Sequence, residues 1–238
     1  MKIEKNTKFI YKNSLKQPGN SFIERYFWIE RFINRPIASL IVRAVYKTPV
    51  TPNGLTFISF FLGLASAVIF SLGNPYYFIW GGILIQLSSI VDCSDGMLAR
   101  AKNMCSDYGS FLDLFLDRVT DFFLFAGIAM GMYRYTGSEL ILILGLMTAG
   151  MYVLQISLYY LTKTYLGIQS RGETGELRAF MLFGISILAI FNLLDIVIYL
   201  MVFETALNTM GRVIHIVLLG RKIKLAPQPE KVVEVIKN

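Results

Sequence analysis

Apolar residues along this 238-residue chain fall in long blocks, and polar residues gather between the blocks. A helix needs about 20 residues to cross a hydrocarbon core of about 30 Å, and apolar blocks of that order recur. We predict membrane-spanning helices at residues 55–72, 76–90 continuing toward 98, 111–132, 140–161, 179–191 and 194–219. The pattern therefore indicates an all-α integral membrane protein with six transmembrane helices.

The composition agrees with lipid as the solvent. Charged residues make up 16% of the chain and hydrophobic residues 55%, whereas a soluble domain carries about 25% charged residues. The first residues do not show the short apolar core and cleavage site of a secretory signal, so we expect no signal peptide to be removed.

An amphipathic segment precedes the first span. We predict that residues 21–47 form an interfacial helix in the headgroup plane, with Trp28 as an aromatic anchor and Pro36 in the first turn of its second half. Apolar positions recur at helical spacing opposite polar ones: Ile37, Leu40, Ile41, Ala44 and Val45 against Ser39, Arg43 and Lys47. A helix that packs on another protein is the alternative. The predicted organisation is a tail at 1–20, the interfacial helix at 21–47, a six-helix domain at 48–221 and a basic cytoplasmic tail at 222–238.

The placement of Lys and Arg predicts the orientation. Basic residues cluster in the N-terminal tail, in the loops after the second and fourth spans, and at the C-terminus, while the other loops are almost uncharged. The positive-inside rule then places both termini in the cytoplasm, as in a multi-pass protein of the cell (inner) membrane. This topology and attraction to anionic headgroups account for the net charge of +7, so we expect no nucleic-acid partner. Cys93 and Cys105 match no metal-finger spacing, and we expect them to be reduced thiols without a role.

Aspartates are concentrated in one stretch, VDCSDGMLARAKNMCSDYGSFLDLFLDRVTD, which covers residues 91–121. Asp92 and Asp95 are three residues apart, and Asp113 and Asp117 are four apart. On helices, either spacing puts the pair on one face, about one turn apart. Because the connection between the second and third spans is short, the two helices are antiparallel neighbours. The four carboxylates can therefore converge near the cytoplasmic surface.

Four ionised carboxylates in contact repel one another. At an effective dielectric near 20, each pair about 4 Å apart is unfavourable by roughly 4 kcal/mol, so protonation or a bound cation has to relieve the repulsion. An all-oxygen ligand set without His favours Mg²⁺ or Mn²⁺ over Zn²⁺. Four carboxylates are enough for two ions.

Small residues accompany the aspartates. Gly96 directly follows the first pair, Ala99 comes three residues later, and Gly109 opens the next helix. Small side chains let two helices, or a helix and a flat ligand, approach closely. Arg100 at the end of this run suits a phosphate or a carboxylate partner.

The first span begins with Pro52, Asn53 and Thr56. One interpretation is helix initiation alone, with Thr51 or Asn53 capping the exposed N–H groups. The other adds that a helix N-terminus at the cytoplasmic surface attracts phosphate. The residues by themselves leave both interpretations open.

These positions form one pattern: Asp92-x-x-Asp95-Gly96-x-x-Ala99-Arg100, then eight residues, then Gly109-x-x-x-Asp113-x-x-x-Asp117. The pattern resembles the signature of the CDP-alcohol phosphotransferase family, because all eight defining positions are present at permitted spacing. The likeness extends from about residue 48 to about residue 221. It includes the Pro-Asn…Thr start of the first span, six spans and an Arg midway along the last one.

The resemblance implies a divalent-metal-dependent enzyme, expected to be a homodimer. It would transfer a substituted phosphate group from a CDP-linked lipid, foremost CDP-diacylglycerol, to the hydroxyl of a small polar alcohol and release CMP. The implied metal ligands are Asp92, Asp95 and Asp113, with Asp117 as a general base that also touches a metal. The implied nucleotide and diphosphate site consists of Gly96, Ala99, Arg100 and Gly109, closed by Pro52, Asn53 and Thr56.

The acceptor is predicted from the residues after Asp117. Arg118 and Asp121 resemble those of family members that use inositol phosphates, so inositol 1-phosphate is the expected acceptor. Cationic side chains that could hold its phosphate are Arg118, Lys163, Arg171, Arg178 and Arg212. Glycerol 3-phosphate, another alcohol, or a CDP-inositol-type donor are the alternatives within the family.

Two classes outside the family compete with an enzyme. Buried acidic residues also mark ion or proton transporters, but such proteins often carry internal repeats and none is evident here. A structural membrane protein with Asp–Arg pairs would not explain the small residues beside the aspartates. A structural pair between Arg118 and Asp121 remains the preferred role of Asp121, and Asp107 is expected to be solvated.

Overall fold

The computed structural model describes residues 30–166 and 174–220 of the chain. Within these ranges the secondary structure is helical, with no strand. A helical turn at Glu30–Asn34 leads into the first of seven helices in this part of the chain. They are α1 (Arg35–Val45), α2 (Pro52–Ser71), α3 (Pro75–Lys102), α4 (Asp107–Thr136), α5 (Glu139–Leu166), α6 (Thr174–Ile190) and α7 (Leu194–Gly220).

Each of the six predicted spans overlaps one of the helices α2 to α7, and the spans 55–72 and 179–191 extend one residue past their helix ends. Among the described residues, three helical segments are long and apolar enough to cross a membrane: Pro52–Ser71, Pro75–Lys102 and Leu194–Gly211. Shorter apolar segments occur in α5 at Glu139–Gln155 and in α6 at Arg178–Ile190. In α4 the aspartates predicted to form the site lower the hydropathy of the helix.

Local sequence signals determine where the helices begin and end. Thr51 caps α2, since its side chain accepts a hydrogen bond from the Gly54 N–H at 3.2 Å, which decides between the two caps that the sequence left open. The Ser106 hydroxyl caps α4 in the same way, accepting from Gly109 N at 3.0 Å. The C-terminal end of α3 is capped by Asn103, which adopts the left-handed conformation with φ 56°. The Thr51 and Ser106 caps satisfy N–H groups that the start of a helix leaves without partners.

The helices pack into one bundle in which α2 lies against both α3 and α4, α3 contacts α6, and α5 contacts α4 and α7. The α2–α4 contact is close because α4 has glycine where it meets α2. A Cβ on Gly127 would meet the backbone of Ala67, and a Cβ on Gly131 would meet the carbonyl of Phe70. Small residues at such contacts let two backbones approach, as is common between membrane helices.

Helix α1 packs on α3 of its own chain. Its buried face consists of Ala38 and Val42, which join Leu98 and Met97 of α3 in a hydrophobic cluster. Asn34, 1% exposed, donates to Ser89 Oγ at 3.0 Å and so fixes the start of α1 to α3. Ile37, Leu40 and Ala44, which the sequence assigned to the apolar face, are exposed. The predicted anchor Trp28 lies outside the described residues.

Large apolar side chains cover much of the outer surface of α2 to α7. Phe61 and Phe203, for instance, are 63% and 68% exposed. Exposed apolar area on this scale is unusual in a soluble monomer and marks a surface that contacts lipid or protein.

Candidate active site

The last turns of α3 and the first turns of α4 bring the acidic stretch together. Asp92, Asp95 and Asp113 each offer a carboxylate oxygen, and the three oxygens lie within 4.8 Å of one another. The three- and four-residue spacings predict that four carboxylates converge, and three of them lie together in this cluster. Asp95 is 7% exposed, so the cluster is only partly open to solvent.

The donor set of this cluster suits a hard divalent cation. Oδ1 of Asp113 is buried and has no hydrogen-bond partner within the described part of the chain. A buried carboxylate oxygen without a partner is costly unless a cation occupies the space beside it. Oδ2 of Asp95 accepts from the Thr56 hydroxyl at 2.6 Å, which orients the carboxylate in the way that outer hydrogen bonds orient metal ligands. The three aspartates therefore fit Mg²⁺ or Mn²⁺.

Asp117 lies one turn beyond Asp113 and contacts an arginine from α6. Its Oδ1 is 2.9 Å from Nη1 of Arg178, and the same nitrogen is 3.7 Å from Oδ2 of Asp92. The Arg178 side chain is 6% exposed, whereas Asp117 is 18% exposed. One buried guanidinium thus offsets part of the negative charge of the cluster, a contact that connects residues 61 positions apart in the sequence.

Asp121 lies a further turn along α4 and is fully buried. Nε of Arg178 donates to its Oδ1 at 3.0 Å and to its Oδ2 at 3.1 Å. Nη1 of Arg118 donates to Oδ2 at 3.1 Å and to the Tyr152 hydroxyl at 3.0 Å. The Arg118–Asp121 pair predicted from the sequence is confirmed, and Arg178 is a second partner that the sequence did not indicate.

A cavity of about 130 Å³ lies between α2, α3 and the start of α4, and we call it the α2–α4 cavity. Its lining includes two of the clustered carboxylates, Asp95 and Asp113. It also includes every residue that the sequence assigned to a nucleotide site: Pro52, Asn53, Thr56, Gly96, Ala99, Arg100 and Gly109. Cys105, expected to have no role, lines this cavity as well.

A larger cavity of about 340 Å³ lies between α5, α6 and α7, and we call it the α5–α7 cavity. Arg118 and Arg178 line it, together with the polar side chains Tyr152, Gln155, Glu204 and Asn208. Its remaining lining is mainly aliphatic, including Ile185 and Val197. The cavity thus combines two cationic groups with hydrogen-bonding groups and an apolar wall.

The structure describes the side chains of two of the five predicted acceptor residues. Arg118 and Arg178 share one cavity, while Arg171 and the side chains of Lys163 and Arg212 lie outside the described residues. The sequence did not identify Tyr152 and Gln155 as cavity residues. No spacing signal could have found them, because they come from a helix far from the motif in the sequence.

The fold and the site define a helical membrane protein whose acidic cluster borders the α2–α4 cavity and contacts Arg178, which lines the α5–α7 cavity. The sequence profile described as CDP-alcohol phosphatidyltransferase matches residues 49–217, which is most of the chain. The chain therefore belongs to the CDP-alcohol phosphatidyltransferase family.

Two relatives illustrate how far the likeness extends. Archaetidylinositol phosphate synthase of Pyrococcus horikoshii is 33% identical over 170 residues, which cover 69% of this chain and 82% of the relative. Bifunctional IPC transferase and DIPP synthase of Aquifex aeolicus is 35% identical over 128 residues, or 54% of this chain, but only 27% of its own length is matched. The chain spans about a quarter of the length of the bifunctional relatives that it matches.

Solved structures share the fold. Phosphatidylinositol phosphate synthase of Mycobacterium tuberculosis with CDP-DAG bound matches with a TM-score of 0.63 at 19% identity, covering 75% of this chain and 92% of that one. The same enzyme in complex with manganese and citrate also matches with a TM-score of 0.63, covering 74% of this chain and 87% of that one.

Proposed function

We propose that the protein transfers a phosphatidyl-type group from a CDP-linked lipid to inositol 1-phosphate and releases CMP. The observation that carries this proposal is that the acidic cluster borders one cavity and contacts, through Arg178, the lining of a second one. Asp95 and Asp113 line the α2–α4 cavity, and Arg178, which contacts Asp92 and Asp117, lines the α5–α7 cavity. A transfer between two substrates needs both of them held in reach of the same catalytic groups.

The α2–α4 cavity is the proposed site of the CDP group. Gly96, Ala99 and Gly109 leave room for a flat base and a diphosphate close to the backbone, while Arg100 offers charge to a phosphate. Pro52 and Asn53 in the first turn of α2 close the cavity, and exposed N–H groups at a helix start favour an anion. CDP-DAG bound in the Mycobacterium tuberculosis structure of the same fold supports CDP-diacylglycerol as the donor.

The proposed metal ligands are Asp92, Asp95, Asp113 and Asp117, which would hold two Mg²⁺ or Mn²⁺ ions. The convergence of three of these carboxylates and the manganese complex of the related structure support divalent-metal binding. Bound ions of this kind neutralise phosphate charge and stabilise the developing negative charge on a leaving phosphate.

Asp117 is the proposed general base. Arg178 occupies Oδ1 of Asp117, so we assign Oδ2 to the acceptor hydroxyl. The carboxylate accepts the hydroxyl proton while the acceptor oxygen forms a bond to the lipid-side phosphorus, and the bond from this phosphorus to the CMP oxygen breaks. Proton transfer by a positioned carboxylate contributes about 10²–10⁴-fold to a rate, and phosphoryl transfer asks the protein mainly for positioning and charge neutralisation.

The polar end of the α5–α7 cavity is the proposed acceptor site. Arg118 and Arg178 face a common cavity, and Nε of Arg118 is a buried donor without a partner among the described residues. A phosphate on the acceptor would satisfy this donor. Lys163, Arg171 and Arg212 remain further candidates for the same phosphate. The names of the Pyrococcus horikoshii relative and the Mycobacterium tuberculosis enzyme support an inositol phosphate acceptor.

The proposed setting is the cell membrane, crossed by α2 to α7, with the site and both termini in the cytoplasm. In this arrangement α1 lies in the interface, where the exposed side chains of Ile37 and Leu40 contact lipid. The six-helix domain covers residues 48–221 between the 21–47 segment and the 222–238 tail. The family resemblance favours a homodimer.

The test is CMP release and lipid product formation by purified protein with CDP-diacylglycerol and a panel of acceptors. The panel contains inositol 1-phosphate, free inositol, glycerol 3-phosphate and serine, and mass spectrometry identifies the lipid product. We expect a product with inositol 1-phosphate and none with free inositol, because the two arginines require a phosphate. A product with glycerol 3-phosphate or serine instead would contradict the acceptor and leave the reaction class intact.

A further inference from the structure

Asp121 is a buried carboxylate that the proposed chemistry does not use. It is fully buried, and both of its oxygens are taken by arginine nitrogens at 3.0–3.1 Å. Because both oxygens accept from arginines and the side chain is not exposed, Asp121 is not placed to contact a metal ion or a substrate hydroxyl. Burying a charge this deeply costs free energy of desolvation, and well-placed partners of opposite charge are needed to offset that cost.

The partners of Asp121 are the two arginines of the α5–α7 cavity. Arg178 reaches it from α6 through Nε, and Arg118 reaches it from one turn earlier on α4 through Nη1. Two guanidinium groups held near each other repel, so a shared carboxylate is needed to keep them together. Because a guanidinium is planar and rigid, fixing one nitrogen also fixes the directions of the others.

The same pairing leaves donors free for an anion. Asp121 engages the Nε edge of Arg178, and Nε of Arg118 is buried with no partner in the described part of the chain. The Tyr152 hydroxyl accepts from Arg118 Nη1 at 3.0 Å, and the Arg118 guanidinium lies 5.8 Å from the Tyr152 ring centroid. Arg178 is held at Nε by Asp121 and at Nη1 by Asp117 and Asp92, and Arg118 is held at Nη1. Both arginines also line the cavity.

We propose that Asp121 is a positioning residue that holds Arg118 and Arg178 together as the phosphate-binding pair of the acceptor site. It acts through the arginines and does not touch the substrate. This inference rests on the proposed acceptor site, and it assigns the orientation of that site to one buried carboxylate.

Asp121→Asn tests the proposal because two explanations predict opposite changes in the affinity for a phosphorylated acceptor. If Asp121 positions the arginines, its loss weakens binding of a phosphorylated acceptor. If Asp121 acts only as a nearby negative charge, its loss strengthens binding of an anion. We expect the Kd for inositol 1-phosphate and the KM for it to rise by about tenfold or more, the size of effect that loss of charge-assisted hydrogen bonds gives. Isothermal titration and CMP release measure the two constants.

The donor side of the site provides the internal control. The KM for CDP-diacylglycerol should stay within about threefold of the wild-type value, because the α2–α4 cavity shares no lining residue with the α5–α7 cavity and sites without shared partners respond nearly independently. Asp107→Asn, which removes an exposed carboxylate from the first turn of the same helix, is the matched variant and should change neither this KM nor the Kd for inositol 1-phosphate. Parallel losses in acceptor binding, donor binding and thermal stability would show a merely structural role and overturn the proposal.

Asp121→Glu is the second variant, and it decides the question if Asp121→Asn does not fold. It keeps the charge and shifts the carboxylate by one methylene, so the positioning role predicts weaker acceptor binding. Wild-type acceptor binding in this variant, or tighter binding in Asp121→Asn, would overturn the proposal.

Titration needs no turnover, so a wild-type protein that binds inositol 1-phosphate but releases no CMP would refute the proposed function alone. A wild-type protein that binds no phosphorylated acceptor would overturn this inference.

Discussion

At Asp117 the proposed proton transfer and the proposed metal contact involve one carboxylate. Asp117→Asn keeps the shape of the side chain and removes its capacity to accept a proton. We expect CMP release to fall by about 10²–10⁴-fold, the usual contribution of a general base. Binding of CDP-diacylglycerol, measured by titration, should be largely unchanged because the α2–α4 cavity does not include Asp117.

Asp92→Asn is the matched comparison for that variant. Asp92 belongs to the three-carboxylate cluster, so its loss should weaken Mn²⁺ binding as well as turnover. Near-normal turnover of Asp117→Asn would show that another group is the base.

Arg178 competes with bound metal for the carboxylates that it contacts. Its Nη1 lies 2.9 Å from Asp117 and 3.7 Å from Asp92, so its positive charge disfavours a second cation there. We expect Arg178→Gln to raise the affinity for Mn²⁺ by about tenfold, since charges a few ångströms apart interact by a few kcal/mol even at an effective dielectric near 20. Electron paramagnetic resonance of free Mn²⁺ measures the affinity.

The control for Arg178→Gln is Arg43→Gln, which removes an exposed charge from α1. This variant should leave the Mn²⁺ affinity unchanged. Weaker Mn²⁺ binding in Arg178→Gln would mean that the arginine supports the metal site and does not compete with it.

Sequence spacing predicted the acidic cluster well and its arginine partner poorly. The spacing of Asp92 and Asp95, and of Asp113 and Asp117, determines which helix face carries them, because a helix has a known period. The contact of Arg178 with Asp121 joins residues 57 positions apart. It depends on how α6 packs on α3 so that the Arg178 side chain reaches α4, and no periodicity in these helices specifies this packing.

Among the helices, the sequence predicted existence and order, because long apolar blocks mark helices and residues such as Thr51 mark their starts. It did not predict which face of α1 is buried. The small Ala38, together with Val42, packs on α3, while the larger Ile37 and Leu40 are exposed. Hydrophobicity alone cannot separate a face that contacts another helix from a face that contacts lipid.

The contact between α2 and α4 depends on glycine. Gly131→Ala would place a methyl group against the Phe70 carbonyl and force the two helices apart. Overpacking of this kind costs about 1–3 kcal/mol, which corresponds to a fall in Tm of several degrees at about 2–4 °C per kcal/mol. Thermal unfolding in detergent measures the change.

Gly150→Ala is the matched control, because a Cβ at Gly150 of α5 meets nothing within 4 Å. Its Tm should stay the same or rise, since Ala favours a helix more than Gly. Equal Tm values for the two variants would show that the α2–α4 contact is looser than the structure indicates.

For the whole molecule, the proposed orientation places the α3–α4 connection and the α6–α7 connection on opposite sides of the membrane. Cys105 is exposed in the first connection, and Phe191, 68% exposed, lies in the second. In a Cys93→Ser background, a membrane-impermeant maleimide should label Cys105 only in inside-out vesicles. A Phe191→Cys variant that also lacks the native cysteines should react only in right-side-out vesicles. Labelling of both positions from one side would contradict the six-span arrangement.

In the proposed function, one acidic cluster uses divalent metal to transfer a group from a CDP-linked lipid to a phosphorylated alcohol. The most direct measurement is CMP release by the wild-type protein with CDP-diacylglycerol and inositol 1-phosphate, with Mn²⁺ and after its removal by a chelator. We predict that CMP appears only when donor, acceptor and metal are all present, and that it stops when the metal is removed. CMP release that persists without metal, or no CMP release under any of these conditions, would contradict the account.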